Sequence, residues 1–325
     1  MNKFDKLVVN VPELFKSFPY DAKESPAVNK VPFLQTRLHR IYKNRFLPAR
    51  YRKALWKIGR NTHIDLSWYE VFREYWKTVL KGRGVWSVQD FFFLKGVYTV
   101  ASANQSLDNA QAEPEISEGA HLKKWQHPKV IAKLFHMVNK EYVTHQLLPL
   151  EFMRTYHPSP RNILEYGCAT APITLSYFEF FNPDPQQKIY LADLEYLPFH
   201  YGCYRFRHCQ NIIPLLLRPE EGFQLPADIH YDVIFCRAVF EHLDQPLRTA
   251  QRFIDLLNPG GILIFDYVMT DLEATLDTPM GLDHHQGHAQ RSQVLDLFES
   301  QLRLLEGTLH RDKGTGLCVV QKKDY

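Results

Sequence analysis

The spacing of apolar residues changes near Pro160 and divides the chain into two regions. Before this point apolar residues recur at intervals of three and four, which predicts helices over Thr36–Leu80 and from Pro128 to about Phe152. One stripe on the first helical stretch is strongly aromatic and consists of Trp68, Val71, Phe72, Tyr75 and Trp76. Such a stripe is typical of a helix that packs against another part of the protein.

The remainder of the first region is less regular. Residues 1–35 contain four prolines, which predicts an irregular arm. Gln89–Val100 is apolar and aromatic and predicts either a buried helix or a strand, whereas Ala101–His121 is small, polar and acidic and predicts a linker or loop. We therefore expect a mainly helical N-terminal region over residues 1–120 and a second domain over residues 121–325.

After Pro160, short apolar runs of strand length alternate with helical patterns. The predicted strands lie in the segments RNILEYGCATAP, which begins as a strand and ends in a turn, KIYLADLE, NIIPLLL, DVIFCRAVF, which includes an exit loop, GGILIFDYV and LCVVQKK. The later strands are separated by the predicted helices TAQRFIDLL and QVLDLFESQL, and a turn is predicted at Asn258–Gly261. This alternation predicts an α/β domain with a doubly wound, mostly parallel sheet.

Composition narrows the class of protein. Apolar residues make up 45% of the chain, but no run reaches the roughly 18 to 20 residues of a membrane-spanning helix. The N-terminus has no signal-peptide pattern, so we expect a soluble protein of the cytoplasm. The five cysteines are scattered and include no CxxC pair, which argues against a disulfide framework and against a structural zinc site.

Two features at the ends of the first two predicted strands indicate a ligand site. The first strand runs into a loop of small residues that begins at Gly167, where the backbone can pass close to a ligand. The second strand ends at Asp193, 26 residues after Gly167. A carboxylate at this position can accept hydrogen bonds from the ribose hydroxyls of a nucleoside.

These residues and two later segments resemble the class I, Rossmann-like methyltransferases that use S-adenosylmethionine (SAM). Their first motif, an acid followed by G-x-G-x-G, stands here as Glu165–Ala171, with alanines in place of the second and third glycines. Tyr231–Pro246 (YDVIFCRAVFEHLDQP) resembles the fourth strand and its exit loop, and Leu256–Asp266 (LLNPGGILIFD) resembles the fifth strand. Alanine takes a positive φ only at an energetic cost, so the motif leaves the shape of the loop open.

The resemblance implies SAM as the cofactor and assigns roles to several residues. Asp193 would hold the ribose, the Gly167 loop would face the methionine part, and Glu165 would anchor that loop and meet the amino group. Arg237 lies where the family contacts the methionine moiety, and Glu195 is a second candidate for the ribose. The predicted cofactor-binding residues are Glu165, Tyr166, Gly167, Cys168, Ala169, Asp193, Leu194 and Arg237.

Histidines in two places are candidates for a general base that removes a proton from the acceptor. His242 follows the fourth strand, and His284 and His285 lie in the DHHQGH segment after the fifth strand. A histidine beside an acid can serve as a base at neutral pH, although each of these residues can equally be structural or solvent-facing. His284 and His288 would share one face of a helix, but the glycines nearby disfavour a helix, and we predict no metal site.

The charge distribution leaves other functions open. Residues 1–100 hold 19 Lys and Arg against 8 Asp and Glu, and the basic segment 30–60 contains ten Lys and Arg and no acid. This segment could bind a nucleic acid, lie on an anionic membrane surface or cover the acidic C-terminal half.

Methylation of a small-molecule acceptor at O, N or C is favoured over methylation of RNA and over a non-catalytic SAM-binding partner protein. A nicotinamide-binding Rossmann domain fits the sequence less well because such a domain requires G-x-G-x-x-G. The sequence leaves the oligomeric state open.

Overall fold

The computed structural model describes residues 67–79, 134, 137–138, 146–218, 225–269 and 285–323. Five features predicted from the sequence lie outside this part of the chain: the irregular arm 1–35, the basic segment 30–60, Gln89–Val100, Ala101–His121 and His284.

The described residues form one sheet of seven strands in the order β3-β2-β1-β4-β5-β7-β6. The strands are β1 (Asn162–Tyr166), β2 (Lys188–Leu194), β3 (Ile212–Leu217), β4 (Tyr231–Cys236), β5 (Leu257–Tyr267), β6 (Leu302–Glu306) and β7 (Thr315–Lys322). Strands β1 to β5 pair in parallel, and β7 pairs antiparallel with both β5 and β6. The predicted mostly parallel α/β sheet is therefore confirmed.

Helices cover both faces of this sheet. They are α1 (Ser67–Thr78), α2 (Leu147–Tyr156), α3 (Pro172–Phe181), α4 (Leu197–Arg205), α5 (Pro246–Leu256), α6 (His285–Ala289) and α7 (Arg291–Gln301), with a 3₁₀ turn at Phe240–His242. In one buried cluster, the four helices α1, α2, α3 and α4 pack on one face of the sheet. In a second cluster, α5 and α7 pack on the other face. Proline in the first turn of α3, α4 and α5 presets the helical φ where no backbone donor is needed.

Successive residues of the central strand β4 point to opposite faces, and both faces are apolar. Val233 and Phe235 belong to the first cluster, whereas Ile234 and Cys236 belong to the second. A strand covered on both sides reads as a continuous apolar run, which is why DVIFC could be recognised as a strand.

The structure differs from the sequence prediction in three places. The helix predicted from Pro128 to Phe152 does not run through Gln146, whose backbone is not helical and whose N–H donates to Ser176 Oγ at 2.9 Å. The turn predicted at Asn258–Gly261 lies inside β5, which begins at Leu257, and it interrupts the pairing with β4: the register shifts between Leu257 and Ile262, and Gly260 has φ +71°. Strand β6 was not predicted, and it forms because β7 offers it an antiparallel partner.

Helix α1 confirms part of the aromatic stripe predicted near residue 70. Phe72, Tyr75 and Trp76 are fully buried and belong to the same cluster as α4. Tyr75 Oη lies 2.7 Å from His200 Nδ1, and burial lowers the pKa of His200 to about 4, so this imidazole is neutral at pH 7. Because α4 directly follows β2, helix α1 is packed beside the strand that carries Asp193.

The cysteines are free, as expected, and four of the five are buried. Among the described residues, we find no helix whose length and hydropathy suit a membrane span.

Asp232 joins the beginnings of three neighbouring strands. Its Oδ2 accepts hydrogen bonds from the N–H groups of Arg161 at 2.6 Å and Asn162 at 2.9 Å, and its Oδ1 accepts one from Asn258 Nδ2 at 2.7 Å. Burial alone would raise the pKa of Asp232, but these hydrogen bonds outweigh it and hold the pKa below the ordinary value of 3.8.

This depressed pKa predicts an acid-dependent loss of stability. The contribution of Asp232 is present above its ordinary pKa of 3.8 and is lost as the pH falls through the lower folded-state pKa. We expect Asp232→Asn to lower the free energy of unfolding at pH 7 and to flatten its decline in acid, measured by urea denaturation at several pH values. Asp255→Asn, at an exposed carboxylate, is the matched control and should leave both unchanged.

Candidate functional site

The loop after β1 is left-handed at all three positions of the glycine motif. Gly167 has φ +63°, Ala169 has φ +49° and Ala171 has φ +56°. The two alanines therefore keep the backbone shape that glycine would adopt freely. Left-handed backbone costs a residue with a Cβ about 1–2 kcal/mol, so the surrounding structure must stabilise this loop.

Glu165, at the end of β1, anchors the far end of the loop. It is buried, and it accepts hydrogen bonds from Ile173 N–H at 3.1 Å, from Thr174 N–H at 2.9 Å and from Thr174 Oγ1 at 2.6 Å. The N-cap residue of α3, Ala171, makes no side-chain cap. Glu165 therefore replaces the missing cap and places a negative charge at the positive end of the helix.

Asp193, at the end of β2, holds the middle of the same loop. Its Oδ2 accepts from Ala169 N–H at 2.6 Å and from Tyr196 Oη at 3.2 Å, and its Oδ1 accepts from Leu194 N–H at 2.7 Å. A carboxylate beyond the carboxyl end of a parallel strand is the group that accepts hydrogen bonds from ribose hydroxyls, so the position and chemistry of Asp193 fit SAM. Glu195, the second candidate for the ribose, is exposed, whereas Asp193 is buried.

The side chains of Tyr166 and Cys168 lie in the core on opposite faces of the sheet. The ring of Tyr166 packs edge-on against Phe253 with centroids 4.9 Å apart. Burial raises the pKa of both the Tyr166 phenol and the Cys168 thiol well above their ordinary values, so both groups stay neutral. A ligand above the loop would therefore meet the backbone of these residues.

Arg237 follows β4 and is fixed by a residue that sequence reasoning missed. Its Nε and Nη2 donate to Asp266 Oδ2 at 3.0 and 2.8 Å, and its Nη1 donates to Gln146 Oε1. The other carboxylate oxygen, Oδ1, accepts from Ala238 N–H at 2.5 Å, and Ala238 is also left-handed with φ +52°. The available signal was the position of Asp266 near the end of the predicted fifth strand, at the same edge of the sheet as Asp193.

The structure brings two of the three candidate bases onto contacting elements. His242 ends the 3₁₀ turn after β4, and His285 begins α6 and is exposed. A Cβ placed on Gly287 of α6 would lie 2.4 Å from Glu241 O, so the helix packs directly on this turn. His242 Nε2 lies 3.9 Å from Oε1 of the buried Glu241, which is too long for a hydrogen bond.

Two further residues that the sequence did not reveal hold α6 and α7 in place. Tyr267 Oη donates to Gly287 O. Arg291, at the start of α7, donates to the carbonyl oxygens of Tyr267 at 3.2 Å, His310 at 2.5 Å and Lys313 at 2.6 Å. These bonds tie α6 and α7 to the end of β5, which places His285 at the same edge of the sheet as Asp193.

In the part of the chain that the structure describes, no group of three or more His, Cys, Asp or Glu side chains could hold a metal ion. The candidate site therefore consists of buried acids, a left-handed loop and nearby histidines.

Comparison with known proteins gives the family context. A family model described as a methyltransferase domain matches residues 140–306. The chain is 28% identical over 167 residues to the malonyl-[acyl-carrier protein] O-methyltransferase of Halalkalibacterium halodurans. This alignment covers 49% of our chain and 55% of the relative. It is also 27% identical over 81 residues to the ubiquinone biosynthesis O-methyltransferase of Shewanella pealeana. That alignment covers 22% of our chain and 34% of the relative. The matches thus span about half or less of these relatives.

Among solved structures, the N-methyltransferase NodS from Bradyrhizobium japonicum, in complex with S-adenosyl-L-homocysteine, aligns with a TM-score of 0.38 and 17% identity. This alignment covers 54% of our chain and 85% of NodS. The family model matches about half of the chain and includes β1 to β6, the left-handed loop and both candidate histidine elements. The chain therefore belongs to the class I SAM-dependent methyltransferases.

Proposed function

We propose that this protein transfers a methyl group from SAM to an O, N or C atom of a small-molecule acceptor. The observation that carries the proposal is the pair formed by the left-handed loop after β1 and the buried Asp193 at the end of β2, within the residues that the family model matches. Ligands of open α/β sheets bind beyond the carboxyl ends of the strands, where this pair lies.

The proposed cofactor contacts follow from where each group lies at the carboxyl ends of the strands. Asp193 would accept hydrogen bonds from the ribose, beside Leu194, and the backbone of Gly167–Ala169 would face the methionine part. Arg237 and Glu165 are proposed to support the methionine end. Both are already fixed by Asp266 and by the N-terminus of α3, so they would meet the cofactor without reorganisation.

When bound, SAM supplies a methyl group that is already activated by the sulfonium. What the protein must add is orientation of the acceptor and, for an oxygen acceptor, removal of its proton. His242, His284 and His285 are the proposed bases. The contact between α6 and the 3₁₀ turn supports this assignment, because it keeps His242 and His285 on neighbouring elements at one edge of the sheet.

Both curated relatives are named as O-methyltransferases, which favours hydroxyl and carboxyl groups as the first acceptors to test and a biosynthetic role in the cytoplasm. We propose that residues 1–120 form a cap on the methyltransferase domain at 121–325. The packing of α1 against α4, with Glu74 Oε2 2.9 Å from Arg207 Nη2, supports this arrangement.

A first test concerns the ribose site. We expect Asp193→Ala to weaken binding of S-adenosylhomocysteine (SAH) by about ten- to a hundredfold, because a charged hydrogen-bond acceptor is lost. Isothermal titration calorimetry measures this directly. Glu195→Ala is the matched comparison and should leave the affinity unchanged. The opposite result would move the ribose contact to Glu195, and unchanged affinity in both variants would exclude both acids.

A second test concerns the base. Alanine variants of His242, His284 and His285 are compared for SAH affinity and for turnover with the same acceptor. The variant that removes the base should keep its SAH affinity and lose turnover by about 10²- to 10⁴-fold. If all three variants turn over at the wild-type rate, the acceptor loses its proton without a histidine.

A third test separates a small-molecule acceptor from RNA. Each phosphate contact adds about 0.9 to the slope of log affinity against log salt, so six contacts would cost about a thousandfold between 50 and 200 mM. We expect no such dependence, because the net charge of +11 over residues 1–100 can be balanced by −8 over the rest of the chain. Filter-binding assays measure the slope. Tight, steeply salt-dependent RNA binding that is lost when Arg50, Arg52 and Lys53 are neutralised would contradict the proposal.

A further inference from the structure

Arg205, the last residue of α4, contacts the loop after β1 between the two alanines that have a left-handed backbone. Its Nη1 donates to Thr170 O at 2.9 Å, and Thr170 lies between the left-handed Ala169 and Ala171. Its Nη2 lies 3.2 Å from Tyr201 Oη, and its guanidinium stacks over the Tyr201 ring at 4.7 Å from the centroid. The guanidinium is therefore held in place on α4 and presents a donor to the loop.

The close approach of α4 to the loop makes this contact possible. A Cβ placed on Gly202 would lie 2.7 Å from Ala169 O and 3.1 Å from the carbonyl carbon of Thr170. Only glycine allows the helix backbone to come this near. The helix is in turn supported by α1, since the fully buried Tyr201 packs edge-on against Phe72 at 5.7 Å and against Tyr75 at 5.1 Å.

Three hydrogen bonds act on the two peptide groups that precede the left-handed alanines, and one of them, from Ala171 N–H to Cys168 O at 2.7 Å, joins the two groups to each other. The other two bonds are made by side chains. Asp193 accepts from Ala169 N–H, which belongs to the peptide before Ala169, and Arg205 donates to Thr170 O, which belongs to the peptide before Ala171. The orientation of each peptide plane relative to the following Cα sets the φ of that alanine. Holding both planes therefore holds both positive φ values, which glycine would adopt without support.

We propose that Arg205 is a positioning residue of the cofactor site, which keeps the loop left-handed where alanines replace the glycines of the motif. The inference rests on the proposed function in one respect, that this loop binds SAM. It assigns the N-terminal helix α1 a part in cofactor binding, because α1 buttresses Tyr201 and Tyr201 fixes Arg205.

The test is a double-mutant cycle in the full-length protein. Arg205→Met is made in the wild type and in the Ala169→Gly/Ala171→Gly background, and the SAH dissociation constant of all four proteins is measured by calorimetry. In the wild-type background we expect about a tenfold loss of affinity, as for one hydrogen bond to a charged group. In the glycine background the same substitution should cost less than about twofold, because the loop no longer needs the support.

Arg207→Met is the matched control, since Arg207 lies two residues further along the chain, pairs with Glu74 and stacks on Tyr204 at 3.9 Å. We expect its effect on SAH affinity to stay below about twofold in both backgrounds. Arg205→Lys, which keeps one donor for Thr170 O, should recover most of the affinity lost in Arg205→Met. An equal loss from Arg205→Met in the two backgrounds would overturn the proposal, because a merely structural role is not relieved by glycine.

The urea midpoint of the same four proteins is the second readout and needs no cofactor. Arg205→Met should lower the midpoint in the wild-type background and lower it less in the glycine background. If the wild-type protein binds no SAH, the proposed function fails while the midpoints still decide whether Arg205 supports the loop. If the wild-type protein binds SAH and neither readout shows coupling, the proposal on Arg205 is wrong, whereas the proposed function stands.

Discussion

Buried carboxylates that bind the backbone N–H groups of the next loop are the interaction on which this site depends. Glu165 caps α3, Asp193 holds Ala169 and Asp266 holds Ala238, and each acid lies near the end of a parallel strand. A buried carboxylate is stable only if its oxygens are satisfied, and a left-handed alanine persists only if its surroundings hold it. The loop N–H groups supply the hydrogen bonds that the buried carboxylates need, and the carboxylates hold the left-handed alanines in place. The acids and the loops therefore form one preorganised unit.

The same arrangement explains why the site does not need a glycine at each motif position. Only Gly167 remains, and there a Cβ would lie 2.3 Å from Val239 Cγ2. At Ala169 the small side chain is tolerated because hydrogen bonds to the backbone compensate for the conformational cost. Substitution of motif glycines by alanine is therefore compatible with an intact loop, provided that neighbouring side chains supply the support.

Helix α1 contributes to the core of the methyltransferase fold. Helix α1 lies outside the residues that the family model matches, yet its aromatic side chains share one core with α3, α4 and the central strands. Its contacts concentrate on α4, which carries Gly202 and Arg205 against the cofactor loop. An element added in sequence before the family domain is thus linked to the site through two layers of side chains.

The sequence by itself determined the α/β class, the order of the parallel strands along the chain and the strand ends that carry Glu165, Asp193 and Arg237, because apolar periodicity and turn residues are local signals. Only the tertiary structure decided the break at Gln146, the pairing of β6, and the roles of Asp266, Arg205 and Arg291. Each of these depends on a partner far away in sequence, such as Ser176 for Gln146 and Thr170 for Arg205, and no local pattern encodes such a pair. The left-handed alanines belong to the same class, because their conformation opposes their intrinsic preference and exists only through contacts that folding creates.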